Sequence, residues 1–381
     1  MNHPYLKEEH HIFRASLRRF LEKEAKPYFE EWEEARLIPR SFWRRLGEQG
    51  YLCPGVDEKY GGCGADWGYA VVVIEEMERI GSGLLGVSLH NEIVVPYLTT
   101  FGTEEQKNRF LPGCLSGDLI TAIAMTEPGA GSDLANIRMT ARRDGEHFIL
   151  NGQKMFITNG INADLVVVAC KTDLQVTPGY KGISLFLVER DRPGFERGRK
   201  LNKIGLHCQD TAELFFEDCR VPAANLLGEE GAGFKYMMEK LAQERLVVAL
   251  TAQVSAEEML KATIDYAKTR EAFGQPLSKL QNTRYKLVEM ATELEIGRTF
   301  IDRLISEHIQ GLKISTEVAM AKWWLTEMAK RVAGECLQLY GGYGYMEEYP
   351  IARRFRDIPV MAIYAGSTEI MKNIIAKDLK L

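Results

Sequence analysis

The stretch NIRMTARRDGEHFILNGQKMFIT, Asn136 to Thr158, decides the fold class. Apolar and polar residues alternate along much of it, as they do in half-buried strands. Turn signals stand at Asp144-Gly145 and at Asn151-Gly152, and such pairs between alternating runs are typical of hairpins. The stretch therefore predicts β structure with a turn at each of the two pairs.

Further short runs rich in β-branched and aromatic residues follow this stretch. They are ADLVVVACKTD (163–173), KGISLFLVER (181–190) and TAELFFEDCRV (211–221). Together the runs predict a small antiparallel barrel or sandwich in the middle of the chain. We expect this β domain to cover residues 121–227.

The segments on both sides of the β domain have helical periodicity. In residues 1–120, HHIFRASLRRFLEKEAKPYF and WGYAVVVIEEMERI predict helices, and Thr103 is the expected N-cap of a third. After Gly231, periodic stretches at about 232–268, 279–309 and 315–340 favour an up-and-down bundle over residues 228–381. The predicted fold is therefore mainly α with a central β domain, between an N-terminal helical domain and a C-terminal helical bundle.

Composition narrows the function classes. The 381 residues are 45% hydrophobic and 27% charged, as in globular proteins, and the net charge of −5 argues against general nucleic-acid or anionic-membrane binding. No apolar run approaches the roughly 20 residues of a membrane span. Without a visible leader at the N-terminus, we expect a cytoplasmic bacterial protein, with a processed mitochondrial-matrix protein as the alternative. Seven scattered cysteines without CxxC spacing predict no disulfide framework and no metal site.

Five segments combine residues suited to binding a large ligand. They are AMTEPGAGSD (124–133), KMFITNG (154–160), TREAFGQPLSKLQ (269–281), QLYGGYGYMEEYP (338–350) and YAGSTEI (364–370). Glycine-rich loops let backbone approach a ligand, and arginine binds phosphate through two N–H groups. Taken singly, the segments also fit a surface turn, a strand with Phe156 and Ile157 in the core, a solvated Arg270 and a helix C-cap. None is a GxGxxG after a strand, so no Rossmann unit is expected.

Taken together, these segments resemble the acyl-CoA dehydrogenase flavoproteins, and the likeness covers nearly the whole chain. The resemblance implies FAD as the cofactor, held by a dispersed site, partly across a subunit interface. The implied FAD contacts are Ile123, Ala124, Met125, Thr126, Gly131, Ser132, Phe156, Ile157, Thr158, Arg270, Phe273, Gln281, Gln338, Leu339, Gly341, Gly342, Ser367, Thr368 and Glu369. The implied substrate contacts are Ser132, Arg245, Ala365 and Gly366.

The same resemblance singles out Glu244 and Ala365. Many members of the family carry their catalytic glutamate at the position of Ala365, whereas the long-chain and isovaleryl types carry it at the position of Glu244, in LAQERLVVAL. Alanine at 365 keeps a backbone N–H for the substrate carbonyl and leaves room for a carboxylate from another element. We therefore expect Glu244 to be the base, with its pKa raised by burial. An exposed helix glutamate in an i,i+4 pair is the alternative.

The activity implied is the FAD-dependent dehydrogenation of acyl-CoA thioesters to trans-2-enoyl-CoA. The base removes the α-proton, the β-hydride passes to flavin N5, and an electron-transfer flavoprotein takes the electrons. The resemblance favours long-chain or branched-chain substrates and a homotetramer built as a dimer of dimers. An acyl-CoA oxidase and a non-catalytic flavin- or acyl-CoA-binding relative are the alternatives. A ligand-free helical scaffold would leave the motifs unexplained.

Overall fold

The computed structural model describes residues 3–381, and its N-terminal part is helical. The helices are α1 (Glu8–Glu24), α2 (Phe29–Ala35), α3 (Arg40–Glu48), α4 (Trp67–Ile80), α5 (Leu85–Leu89), α6 (Val95–Phe101) and α7 (Glu104–Ser116). A π-helical turn, His90–Val94, joins α5 to α6. Thr103 caps α7 as predicted, because its hydroxyl accepts from the Gln106 N–H while the Gln106 side chain accepts from the Thr103 N–H.

The middle of the chain forms a mixed sheet. Its strands are β1 (Thr121–Ala124), β2 (Thr140–Asp144), β3 (His147–Thr158), β4 (Leu165–Lys171), β5 (Ile183–Glu189), β6 (Phe195–Lys200), β7 (Thr211–Pro222) and β8 (Leu226–Leu227). The strand order is β6-β7-β3-β2-β4-β5-β8, and β1 pairs with β4 in parallel. The central β domain is therefore confirmed, but the prediction that it is antiparallel throughout is wrong, because β4 pairs in parallel with both β1 and β2.

Only one of the two predicted turns is observed. Asp144-Gly145 ends β2 and leads into the antiparallel partner β3, as predicted. The turn predicted at Asn151-Gly152 is wrong, because both residues lie inside β3, where its pairing with β7 shifts register. Gly152 has φ 143°, and a Cβ there would lie 2.8 Å from Cγ of Met139. This glycine marks an irregularity that lets β3 continue past a close neighbour.

The C-terminal part returns to helices. Its elements are α8 (Gly233–Thr269), β9 (Glu271–Ala272), β10 (Gln275–Pro276), α9 (Gln281–Ile309), α10 (Ser315–Tyr340), α11 (Pro350–Asp357) and α12 (Thr368–Asp378). The three long stretches predicted from periodicity agree with α8, α9 and α10 to within about two residues, which confirms them. Between residues 3 and 381, each helix is too short or too polar to cross a bilayer.

Strand β4 explains how the layers fit together. Leu165, Val167 and Ala169 pack in one cluster with the N-terminal helices, whereas Val166 and Val168 pack in the core on the other face of the sheet. Both faces of β4 are thus covered, which is why its sequence is apolar without alternation. A third cluster joins α8, α9 and α10 to Val71 and Ile74 of α4. Helix α8 therefore runs through the interior, with the N-terminal helices on one side and the bundle on the other.

Candidate active site

Glu244 lies in the interior on α8, and only 6% of it is exposed. Its helical neighbours Leu246 and Val247 are buried as well. Oε1 of Glu244 accepts a hydrogen bond of 2.8 Å from the hydroxyl of Tyr97, which α6 supplies. The alternative of an exposed glutamate in an i,i+4 pair is therefore wrong.

Burial controls the ionisation of this carboxyl. The loss of water raises the pKa of Glu244 to about 7, and the Tyr97 hydrogen bond and the Arg245 and Lys240 charges lower it only in part. Burial and the neighbouring carboxylate together raise the pKa of Tyr97 well above its usual range, so this phenol keeps its proton. The pair thus consists of a carboxyl that titrates near neutrality and a hydroxyl that serves as a donor.

The loop that contains Ala365 and Gly366 adjoins the same helix. Both residues have left-handed backbone angles, φ 52° and φ 94°. The Arg245 Nε donates to the carbonyl oxygen of Ala365 at 3.4 Å, so the residue next to Glu244 contacts this loop directly. The Nζ of Lys322, on α10, donates to the carbonyl oxygen of Gly366 at 2.6 Å. Arg245 and Lys322 therefore hold two successive carbonyl groups of the loop.

Lys322 and Tyr97 are site residues that the motifs did not include. Lys322 is buried, and burial, followed by repulsion from Arg245, lowers its pKa to about 8. It stands on the apolar face of α10 with Val318, Ala319 and Leu325, and a lysine in an apolar helical stripe was the available signal. Tyr97 carries no comparable signal, because it is 147 positions from Glu244 in the chain.

The first two motifs meet at the end of β1. The Met155 N–H donates to the carbonyl oxygen of Thr126 at 2.9 Å. Beneath this contact, the Nζ of Lys154 donates to Oε1 of Glu127 at 2.9 Å and to the carbonyl oxygen of Met125 at 3.0 Å. Lys154 and Glu127 are both buried, and the Glu127 carboxylate also accepts from the backbone N–H of Arg138. The buried pair fixes the loop from inside and leaves its outer edge open.

Phe156 stands out on that edge. It is 63% exposed and has φ 61°, at the point where the pairing of β3 with β7 shifts between Lys154 and Ile157. The alternative interpretation, an ordinary strand with both side chains in the core, holds for Ile157 but is wrong for Phe156. The shift breaks the alternation, so Phe156 turns outward while Ile157 stays inside. An exposed ring in a left-handed conformation is typical of a functional position.

The third and fourth motifs meet elsewhere on the surface. An open depression of about 490 Å³ is lined by Tyr266, Arg270, Leu277, Met346 and the run 338–343, which includes Gln338, Leu339, Gly341 and Gly342. The Arg270 guanidinium lies 5.3 Å from the centroid of the Tyr343 ring. Phe273, at the tip of the β9–β10 hairpin, is 93% exposed. Arg270 is thus exposed, as expected of a solvated helix residue, but it also lines this depression.

The remaining predicted residues range from exposed to buried. Ser367 caps α12, where its hydroxyl accepts from the Ile370 N–H at 3.4 Å. The Thr368 hydroxyl donates to Glu327 at 2.7 Å, and Glu369 is exposed beside it. Gly131, Ser132 and Gln281 are exposed, whereas Ile123 and Ala124 of β1 and Thr158 of β3 are buried or half-buried.

Three family models together match almost the whole chain. "Acyl-CoA dehydrogenase, N-terminal domain" matches residues 7–118, the middle domain matches 122–219 and the C-terminal domain matches 231–380. The mitochondrial long-chain specific acyl-CoA dehydrogenase of Sus scrofa is 47% identical over 371 residues, which are 97% of this chain and 86% of that protein. The chain belongs to the acyl-CoA dehydrogenase family.

Solved structures support the same conclusion. A crystal structure of acyl-CoA dehydrogenase from Geobacillus kaustophilus has a TM-score of 0.99 and 65% sequence identity, and 100% of each chain is covered. A glutaryl-CoA dehydrogenase from Mycobacterium smegmatis in complex with FADH2 has a TM-score of 0.91 and 32% identity, over 98% of this chain and 95% of that chain. This acyl-CoA dehydrogenase is thus an oxidoreductase and a flavoprotein of the fatty-acid β-oxidation type.

The residues present fit FAD, the cofactor of the family. Phe156 offers a flat exposed ring, which suits stacking against a planar ring system. Arg270 offers a guanidinium beside an aromatic wall, which suits a pyrophosphate and an adenine. The start of α12 has free backbone N–H groups, which suit an anion.

We predict that Lys154→Met destabilises this acyl-CoA dehydrogenase by about 3–5 kcal/mol, because it leaves the Glu127 carboxylate buried without its partner. Urea unfolding followed by circular dichroism and flavin fluorescence measures the change. The exposed Lys181→Met is the control, and the double variant Lys154→Met/Glu127→Gln should cost less than Lys154→Met. A loss no larger than that of the control would contradict the role of the buried pair.

Proposed function

We propose that this acyl-CoA dehydrogenase uses Glu244 as the base that removes the α-proton of the substrate. The observation that carries the proposal is the buried carboxyl of Glu244, bonded to Tyr97 and with a pKa of about 7. A general base works best when its pKa lies near the operating pH, since it is then both ionised and basic. Other carboxyls with raised pKa values, such as Glu92 and Asp357, are not on the turn of α8 that contacts the Ala365 loop.

The residues of the chain divide the chemistry among them. The α C–H bond breaks as its proton moves to the Glu244 carboxylate, and its electron pair becomes the new C=C bond. FAD, held by the residues described above, would supply the acceptor for the β-hydride. The Ala365 N–H has no acceptor among residues 3–381, and it would donate to the thioester carbonyl as negative charge develops there. Arg245 positions this donor, because its Nε bonds the carbonyl of the same residue.

We further propose that long-chain acyl-CoA thioesters are the substrates and that branched-chain thioesters come second. The 47% identity to the long-chain specific dehydrogenase of Sus scrofa supports this ranking. An electron-transfer flavoprotein is the proposed acceptor of the electrons. Transfer to a protein acceptor fits a dehydrogenase, whereas an oxidase would pass the electrons to oxygen.

A homotetramer, arranged as a dimer of dimers, is the proposed assembly. Its support is an exposed apolar surface on the bundle: Phe273 on the hairpin, Tyr343 and Tyr345 beside the depression, and Val288 and Ile296 on α9. Single exposed apolar side chains are common, but a run along one helix and an adjoining hairpin is typical of an interface. Such an interface would also cover the depression lined by Arg270.

We predict that Glu244→Gln binds acyl-CoA and FAD but dehydrogenates about 10²–10⁴-fold more slowly, since it lacks the base. Anaerobic bleaching of the flavin absorbance after the addition of palmitoyl-CoA measures the reaction. Glu239→Gln is the matched control, because Glu239 is an exposed glutamate on the same helix. Bleaching at the wild-type rate in Glu244→Gln would falsify the assignment of the base, and a wild type that does not bleach would favour the non-catalytic relative.

We predict that palmitoyl-CoA has a kcat/KM at least about tenfold above that of butyryl-CoA, because each added methylene contributes apolar contact in the acyl site. Isovaleryl-CoA should lie between the two. The assay uses an electron-transfer flavoprotein without oxygen, and a parallel assay uses oxygen alone. A preference for butyryl-CoA would contradict the substrate proposal, and rapid turnover with oxygen would favour an oxidase.

We predict that Arg270→Ala weakens FAD binding by about 10–100-fold, as expected for the loss of a charge-assisted hydrogen bond to phosphate. Titration of the apoprotein with FAD, followed by fluorescence quenching, gives the dissociation constant. Arg142→Ala is the control, because Arg142 is an exposed arginine on β2.

Analytical ultracentrifugation of the wild type tests the tetramer directly, and a monomer that binds FAD tightly would contradict the assembly.

A further inference from the structure

Tyr97 has the features of a residue that acts on Glu244. It is fully buried, on α6, and its hydroxyl donates to Oε1 of Glu244 at 2.8 Å. Among residues 3–381 no other side chain donates to the Glu244 carboxyl within hydrogen-bonding distance. A buried carboxylate with one donor depends strongly on that donor, because no water replaces it.

Aromatic contacts hold the Tyr97 ring in place. Its centroid lies 6.1 Å from the ring of Phe101, one turn later on α6, at an angle of 59°. Phe101 stacks on Tyr236 of α8, with 4.0 Å between centroids and 19° between planes. The Tyr236 hydroxyl accepts from the Glu229 N–H at 3.1 Å, which anchors the far end of the stack. The direction of the Tyr97 hydroxyl is therefore set by packing and does not depend on Glu244 alone.

We propose that Tyr97 is the positioning residue of the catalytic base, a role that rests on the proposed function of Glu244. Its hydroxyl holds Oε1, so Oε2 is the oxygen left to receive the α-proton. In the step, the substrate C–H bond breaks and an O–H bond forms at Oε2, while the Tyr97 proton stays on its own oxygen. Tyr97 thus restrains the rotation of the carboxylate and stabilises its ionised form.

The charges around Glu244 define what Tyr97 contributes. Lys240 and Arg245 lie on the same helix, and both favour the carboxylate. Glu92, on the π-helical turn, has its carboxyl bonded by Trp67, and burial raises its pKa to about 7. Lys240 and Arg245 thus act on Glu244 through their charges, whereas Tyr97 acts through a hydrogen bond from a neutral hydroxyl.

Two further groups lie behind these charges. Burial, and then the Lys240 charge, lower the pKa of His308 on α9 to about 4, so it is neutral at pH 7. Lys322 of α10 faces Arg245 and the loop carbonyl of Gly366. Neither group hydrogen-bonds Glu244. Because Tyr97 is neutral, its substitution changes the pKa of Glu244 without removing a charge from the site.

The test is the pH dependence of kcat/KM for the FAD-loaded enzyme with palmitoyl-CoA, since this profile reports the ionisation of the free enzyme. For the wild type we expect activity to rise with pH through about 7, because Glu244 must be ionised. Tyr97→Phe removes the donor that stabilises the carboxylate, so its rise should move to higher pH by about one unit. Its alkaline plateau should fall about tenfold, with a larger isotope effect for α-deuterated substrate and little change in KM.

Tyr60→Phe is the matched control, because the Tyr60 hydroxyl donates to Glu104 at 2.9 Å in the same kind of pair, on an exposed carboxylate. It should leave the profile unchanged. Tyr97→Gln, which keeps an N–H donor, should lie between the wild type and Tyr97→Phe. Tyr97→Met, which lacks a donor, replaces Tyr97→Phe if that variant does not fold. Flavin content and circular dichroism report the folding of each variant.

The outcomes separate this inference from the proposed function. A folded Tyr97→Phe, or Tyr97→Met in its place, with an unmoved profile and an unchanged isotope effect overturns the role of Tyr97. A wild-type profile without a rise near pH 7, together with an active Glu244→Gln, overturns the assignment of the base instead. A shift in Tyr97→Phe with no shift in Tyr60→Phe supports the positioning role.

Discussion

The burial of one carboxyl, that of Glu244, is the constraint on which the site depends. Transfer from water into an apolar interior disfavours the charged form, and here that cost outweighs one hydrogen bond and two nearby positive charges. The same cost affects stability. Between pH about 4.5 and 7 the unfolded chain releases this proton while the folded chain keeps it, so this group makes stability fall as pH rises through that window. The raised pKa that suits Glu244 to act as a base near pH 7 thus lowers the stability of the folded protein at that pH.

Much of the fold follows from local patterns in the sequence. The periodicity of α8, α9 and α10 gave their bounds to within about two residues, because each helix keeps an apolar face over many turns. Thr103 was identifiable as an N-cap because a Gln three residues later completes the capping box. Glu244 is buried, as its apolar neighbours in LAQERLVVAL indicate. Helical periodicity in this segment therefore predicts that its side chain faces the interior.

The features that local patterns do not encode depend on contacts between distant segments. Asn151-Gly152 has the composition of a turn, but Met139 approaches Gly152 so closely that the glycine serves β3 instead. The resemblance implied that Phe156 packs against the flavin, but in a regular strand it would be a core residue, and only a register shift against β7 turns it outward. Tyr97 contacts Glu244 only because α6 packs against α8, and no spacing within a motif encodes that contact. Local chemistry therefore identified the motifs, and packing between helices and sheet decided how they are used.

Placing the base on α8 has a mechanical consequence. The Ala365-Gly366 loop contains two successive left-handed residues, and a non-glycine residue in that region is strained by about 1–2 kcal/mol. A carboxylate on this loop would share its backbone strain, whereas a carboxylate on a 37-residue helix has neighbours that pack on both sides. Arg245 then links the two elements, because it follows Glu244 on α8 and bonds the carbonyl of Ala365. The proton acceptor and the backbone donor for the carbonyl can thus come from different elements and still keep one fixed separation.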